Sequence, residues 1–337
     1  MKNLRFILFP FSIVYNFVVV ARNWCYDVGL FKSYSFDIPI IAVGNLSMGG
    51  TGKTPQIEYL IRLLSENHKV AVLSRGYKRQ SKGFILANDL STAATIGDEP
   101  FQYFQKFKNI HVAVDANRKN GIKQLLPLPD PPEIILLDDA FQHRKVKAGF
   151  YILLTTYNDL FCDDFVLPTG NLRENKSGAK RADIIIVTKC PKNICADERH
   201  NIENKLNLQP KQSLFFSFID YDDNAISQNN TIKTEQLRTM KKLIVAGIAK
   251  PKPFVDFIKN SEDDIILFPD HHHFTEKDLT DIDKKSENKI IVTTEKDYVR
   301  LQGTYLKDKL FYLPIKSSFI SSDINFDWTI IEYLKKF

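Results

Sequence analysis

The sequence predicts an α/β protein: a mostly parallel sheet flanked by helices, a second and smaller α/β domain, and an apolar helix at the N-terminus. Three observations predict it. From residue 38 onward, short β-branched runs alternate with helical patterns, the rhythm of βαβ units. A polar stretch rich in Asp and Asn, residues 221–234, breaks that rhythm and marks a domain boundary. Residues 4–20 are almost continuously apolar, flanked by Lys2, Arg5 and Arg22.

With 337 residues, the chain has room for two domains, each with its own core. The composition, 44% hydrophobic and 26% charged, is that of an ordinary soluble protein. A net charge of +6 suits anionic substrates or membranes, although evenly spread surface lysines give the same sum. Cys25, Cys162, Cys190 and Cys195 form no CxxC pair and have no metal-ligand spacing. They read as free thiols in a reducing cytosol.

The N-terminal stretch falls short of the roughly 20 residues of a spanning helix, and Pro10 and Asn16 interrupt it. A signal peptide fits poorly: residues 20–24 offer no small-residue cleavage site, and Asn23-Trp24-Cys25 is a poor lipoprotein box. An interfacial helix fits better, with Arg22 and Lys32 at headgroup level. Removing residues 1–20 is expected to spare any nucleotide site, because the first strand starts near Ile38.

Strand candidates are 38–43, 70–73, 111–115, 134–138, 151–154 and 184–188, then 214–218, 243–246, 265–268, 290–293 and 310–313. Between the first two, Ile57, Leu60, Ile61 and Leu64 line one helix face. The same gap holds the strongest motif, Gly44-Asn45-Leu46-Ser47-Met48-Gly49-Gly50-Thr51-Gly52-Lys53-Thr54-Pro55. A Gly-rich loop between strand and helix, ending in Gly-Lys-Thr, is a P-loop. Ser47 stands where the strict pattern has Gly, but Gly49, Gly50 and Gly52 let backbone N–H groups of residues 47–54 curl around phosphates. Lys53 then reaches the β- and γ-phosphates, and the Thr54 hydroxyl ligates Mg²⁺. The apolar run 134–137 ending in Asp138-Asp139 reads as the matching Walker B strand, one carboxylate serving Mg²⁺. The fold expected is therefore P-loop NTPase-like.

GTP is disfavoured. Thr188-Lys189-Cys190-Pro191 begins like a guanine-reading motif but has Pro191 in place of the Asp, and Lys296 and Asp297 are adjacent in Thr294-Glu295-Lys296-Asp297. ATP is the better reading.

These residues, with Ser74-Arg75-Gly76-Tyr77, Gly97-Asp98-Glu99-Pro100, the run 138–144, Gly170-Asn171-Leu172-Arg173-Glu174, the run 247–251, Asp270 with the three histidines after it, and the run 293–297, resemble the tetraacyldisaccharide 4'-kinase (lipid A 4'-kinase) family in order along the whole chain. Ala140 stands where that family usually has Gly, and Asn171 where Pro is common; neither change removes a chemical group. The resemblance implies ATP-dependent phosphorylation, with Mg²⁺, of the 4'-hydroxyl of a tetra-acylated glucosamine disaccharide 1-phosphate in lipid A (lipopolysaccharide) biosynthesis. It also implies a peripheral position on the cytoplasmic face of the bacterial inner membrane. No nucleic acid and no obligate protein partner are expected.

A sugar hydroxyl needs a carboxylate base. Asp98 at a helix start reads equally well as a capping residue; the resemblance makes it the base, with Glu99 beside it near the metal and His271 as its partner. Metal ligands are then Thr54, Glu99, Asp138 and Asp139. A zinc site at His271, His272 and His273 is rejected, since adjacent side chains point apart. His143 reads as a structural loop histidine. Arg75, Arg118 and Arg173 suit phosphates, but each taken singly reads more readily as a surface ion pair. The expected units are 1–35, a membrane-interface helix; 36–220, the nucleotide-binding kinase domain; and 235–337, a domain closing the cleft. The rival reading is a membrane-associated ATPase switch, distinguished by ATP turnover that does not require the acylated disaccharide.

Overall fold

Strand β1, Ile40–Asn45, is buried along its whole length. A continuous apolar run buried on both faces is what a central parallel strand requires. The structure, a computed structural model, describes residues 5–270, 272–321 and 324–337. Around β1 lie β2 (Val70–Ser74), β3 (Ile85–Leu86), β4 (His111–Val114), β5 (Ile134–Asp138), β6 (Phe150–Thr156), β7 (Ile184–Thr188) and β8 (Ser213–Tyr221). With β15 (Ile315–Phe319) they form one sheet ordered β15-β8-β7-β6-β1-β5-β2-β4-β3. All its pairings are parallel except those of the edge strands β3 and β15.

β1 pairs with β5 on one side and β6 on the other, so the chain's direction of travel across the sheet reverses there. The carboxyl ends of strands at such a point open a crevice for ligands. Helix α1 is Phe9–Asp27 and α2 is Lys53–Leu64. The predicted α2 face is correct: Ile57, Leu60, Ile61 and Leu64 pack with Ile41, Val43, Val72 and Leu136. Beyond the crevice are α3 (Asp98–Lys106), α4 (Arg118–Leu125) and α5 (Ala196–Leu206).

The second sheet contains β9 (Asn224–Ile226), β10 (Thr231–Lys233), β11 (Lys242–Ala246), β12 (Asp264–Leu267), β13 (Ile290–Thr294) and β14 (Leu310–Leu313). Its order is β10-β9-β14-β13-β11-β12. Helices α6 (Lys252–Ile258), α7 (Glu276–Ser286) and α8 (Glu295–Leu301) accompany it.

Sheet membership departs from the expected 235–337 unit at both ends. The second sheet begins at β9, inside the polar stretch, and the chain returns to the first sheet at β15. Helix α9, Phe326–Leu334, then buries Phe326, Ile330 and Tyr333 in the first core. The return to the first sheet carried no sequence signal, because β15 reads Ile-Lys-Ser-Ser-Phe and an edge strand needs little apolar sequence.

α1, preceded by a short 3-10 turn at Phe6–Leu8, gives 22 residues of helix. By length and composition it is able to cross a membrane, whereas the apolar stretch in the sequence spans only 17 residues, 4–20. Its docking is inverted relative to a soluble amphipathic helix. Ser12, Tyr15, Asn16 and Asn23 bond to the protein, while Phe6, Ile7, Phe11, Val14, Phe17 and Val18 face outward.

Candidate active site

The turn from β1 into α2 is shaped by close approach. A Cβ on Gly44 would sit 2.7 Å from Phe141 Cβ and 2.9 Å from Phe141 N, so only glycine lets β1 lie against the segment after Asp139. Gly52, with φ of 87°, takes the left-handed conformation that starts α2. Ser47 bridges to Leu172, and the N–H of the exposed Met48 donates to the Asn171 carbonyl. Gly49 is also left-handed, the Gly50 carbonyl accepts from Lys189 Nζ at 2.5 Å, and the Thr51 carbonyl accepts from Thr188 Oγ1 at 2.8 Å.

Lys53 Nζ lies 3.6 Å from Asp139 Oδ1 and 3.4 Å from Asn45 Oδ1. Arg173 Nη1 reaches both Asp139 oxygens at 3.0 Å. Burial raises the Asp139 pKa, but the charges of Lys53 and Arg173 outweigh it and hold the carboxyl below its usual range. Asp138 behaves oppositely. Burial first, then the Asp139 charge with Glu99 behind it, push its pKa up to about 6 against Lys53 and Arg118. Ser74 Oγ donates to Asp138 Oδ2 at 3.2 Å.

Two buried polar atoms here lack a well-formed hydrogen bond: Thr51 Oγ1 in the loop, and the Tyr103 hydroxyl beside Thr54. Orphan donors of this kind fit oxygens supplied by a bound phosphate or hydrated cation. The residues expected to hold a metal, Thr54, Glu99, Asp138 and Asp139, offer only oxygen atoms and would suit a hard cation. Among the described residues no three His, Cys, Asp or Glu side chains converge as a metal cage. Mg²⁺ does not need such a cage, since it takes one or two carboxylates and completes its shell with phosphates and water.

Cations gather around the loop from both sheets. Burial, then Lys250 and Lys296 of the second unit, depress the Lys189 pKa. Of the three arginines named from sequence, Arg173 is at the site. Arg118 is buried, donating to the carbonyls of Asp115 and Asp138, so in this state it braces the Walker B turn. Arg75 is an electrostatic neighbour of Arg118. His143 is half-buried near these arginines, and desolvation with their charge lowers its pKa to about 4, which suits a neutral structural histidine.

The model of the family described as Tetraacyldisaccharide-1-P 4'-kinase matches residues 4–334. This chain belongs to that family. It is 60% identical to the tetraacyldisaccharide 4'-kinase of Flavobacterium psychrophilum, over 99% of this chain and 98% of that one. It is 46% identical to that of Bacteroides thetaiotaomicron, over 98% and 93%. Its backbone is similar to the crystal structure of LpxK from Aquifex aeolicus in complex with ATP, with a TM-score of 0.79, 29% identity and 99% of each chain covered. The fold is accordingly that of the P-loop kinase, with mixed, mostly parallel sheets and an apolar N-terminal helix.

Asp98 begins α3, across the crevice. Arg300 Nη2 of α8 donates to its Oδ2 at 2.7 Å, and Lys296 Nζ lies 3.9 Å from Glu99 Oε1. The expected partner His271 lies outside the described residues. Its neighbour His272 bonds Asp278 Oδ2 at 2.9 Å and stacks on Phe268, so it serves the second unit's own structure. Arg300, Lys189, Tyr103 and Gln142 were not found from sequence. Arg300 lay three residues past a matched run, and a lone arginine on a short helix carries no local signal.

Proposed function

We propose that this chain transfers the γ-phosphoryl group of Mg-ATP to the 4'-hydroxyl of a tetra-acylated glucosamine disaccharide 1-phosphate. The carrying observation is the match to kinases of that name along nearly the whole chain, a span that includes the phosphate loop. Residues 47–54 cradle the phosphates through backbone N–H groups, with Lys53 following the charge that develops on the transferred group. Thr54, Glu99, Asp138 and Asp139 would hold Mg²⁺, which when bound neutralises phosphate charge. Asp98 accepts the proton as the hydroxyl oxygen attacks the γ-phosphorus and the bond to the β-phosphate oxygen breaks, releasing ADP. His271 is its proposed partner. The second unit closes over the site and excludes water, which competes with the sugar.

The outward apolar face of α1 supports a peripheral position on the inner membrane's cytoplasmic face, where the acyl chains reside. The test is a mass spectrum of the lipid after incubation with Mg-ATP. One added phosphoryl group at the 4' position is expected. ATP hydrolysis with the lipid unchanged would favour a membrane-associated switch instead.

A further inference from the structure

The loop carrying Arg173 is clamped from two sides. On one side it is zipped to the phosphate loop. Met48 N–H donates to the Asn171 carbonyl at 2.8 Å, and Arg173 N–H to the Leu46 carbonyl at 2.7 Å. On the other side lies α1. The Tyr15 hydroxyl donates to the Arg173 carbonyl at 2.8 Å, Asn23 Nδ2 to Glu174 Oε2 at 2.9 Å, and Arg22 Nη2 to the Gln142 carbonyl at 3.0 Å.

Glu174 is the joint between the two. Its carboxylate is 2% exposed and is neutralised by Arg181 at 2.8 Å. Oε1 also accepts from Gln142 Nε2 at 3.0 Å, and the same nitrogen donates to the Asn45 carbonyl at 2.8 Å. Asn45 in turn holds the Ser47 carbonyl at 2.7 Å and touches Lys53. A buried carboxylate with one cation and two neutral donors has little freedom, because losing any partner leaves charge under-satisfied. Hydrogen bonds therefore run without a gap from the apolar helix to the lysine of the phosphate loop.

We propose that Glu174 is a positioning residue that makes α1 part of the nucleotide site rather than a detachable anchor. The inference deepens the kinase reading and rests on it for its meaning. It runs against the expectation that removing residues 1–20 spares the nucleotide site, because that deletion takes away Tyr15 and most of the helix that presents Arg22 and Asn23.

The test uses the full chain with Asn23→Ala, Glu174→Gln and both together. Mg-ATP affinity is measured by titration without lipid, beside vesicle co-sedimentation and thermal unfolding. Each single variant should weaken Mg-ATP binding about three- to tenfold, the loss of one hydrogen bond's net contribution. Vesicle binding should be unchanged, and the double variant should be little worse than the worse single. Tyr15→Phe, which removes only a hydroxyl, should act in the same direction should Glu174→Gln fail to fold. Unchanged Mg-ATP affinity, fully additive losses, or losses that track vesicle binding would overturn the proposal. A wild type that makes no phosphorylated lipid would overturn the kinase reading, yet leave this affinity comparison intact.

Discussion

The two walls of the crevice are built on different principles. The phosphate wall is backbone: residues 44–54 leave the middle of a buried parallel sheet, and glycine geometry and the start of α2 fix their N–H groups. The far wall is side chains between two units. Arg300, Lys296 and Glu295 of α8 reach Asp98, Glu99 and Lys106 of α3. Backbone held by a core does not rearrange cheaply, whereas ion pairs across a cleft exchange with water or ligand. The phosphate wall is thus pre-formed, and the geometry of the far wall depends on how the two units meet.

The largest effect should come from the phosphate wall. Lys53→Ala is expected to lower kcat by at least about a hundredfold, since it removes the charge that follows the transferred group. Folding should survive, because among the described residues the Lys53 ammonium has just Asp139 and Asn45 as polar partners. Near-normal turnover in the folded variant would end the P-loop assignment.

A smaller effect is expected across the cleft. Arg300→Gln should cut kcat about tenfold by loosening Asp98, with KM for Mg-ATP unchanged and partial recovery in Arg300→Lys. Steady-state kinetics in both substrates reads this directly. A rise in KM for Mg-ATP alone would mean that Arg300 serves the nucleotide and that the two walls are not separate.

The smallest effect concerns stability. Lys106 Nζ is shared by Glu58 at 2.7 Å and Glu295 at 2.8 Å, both nearly buried. Burial first, then the Glu58 charge, raise the Glu295 pKa toward 7 despite Lys106. A carboxyl whose folded pKa is raised binds more protons folded than unfolded. Its stabilising contribution is therefore full below its unfolded pKa and fades as pH rises through about 7. Glu295→Gln should leave Tm nearly unchanged at pH 5 and raise it by a few degrees at pH 8, which calorimetry at both values checks. A lower Tm at pH 8 would show that the ionised pair with Lys106 holds the units together.

The same contrast explains what the sequence made legible. All eleven predicted strand runs overlap observed strands, because each is a contiguous, mainly apolar segment rich in β-branched or aromatic residues between turn residues. The phosphate loop and the Asp138-Asp139 turn were legible for the same reason: their chemistry is local. Short strands such as β3 and β9, and the returning β15, carry no such run. Arg300 is 202 residues from Asp98, so no periodicity predicts their contact. The Asn23, Glu174 and Gln142 link joins three segments in the same way. Glu174 was named within a family run, but its joint role appears only once the helix is docked.

The claim that the two walls act separately is tested most directly by Asp98→Asn, with Mg-ATP affinity and phosphoryl transfer to the acylated disaccharide measured on one preparation. The account predicts affinity within about twofold of the unmodified chain and transfer reduced at least about a hundredfold, as loss of a general base requires. Transfer lost in step with Mg-ATP affinity, or retained, would contradict it.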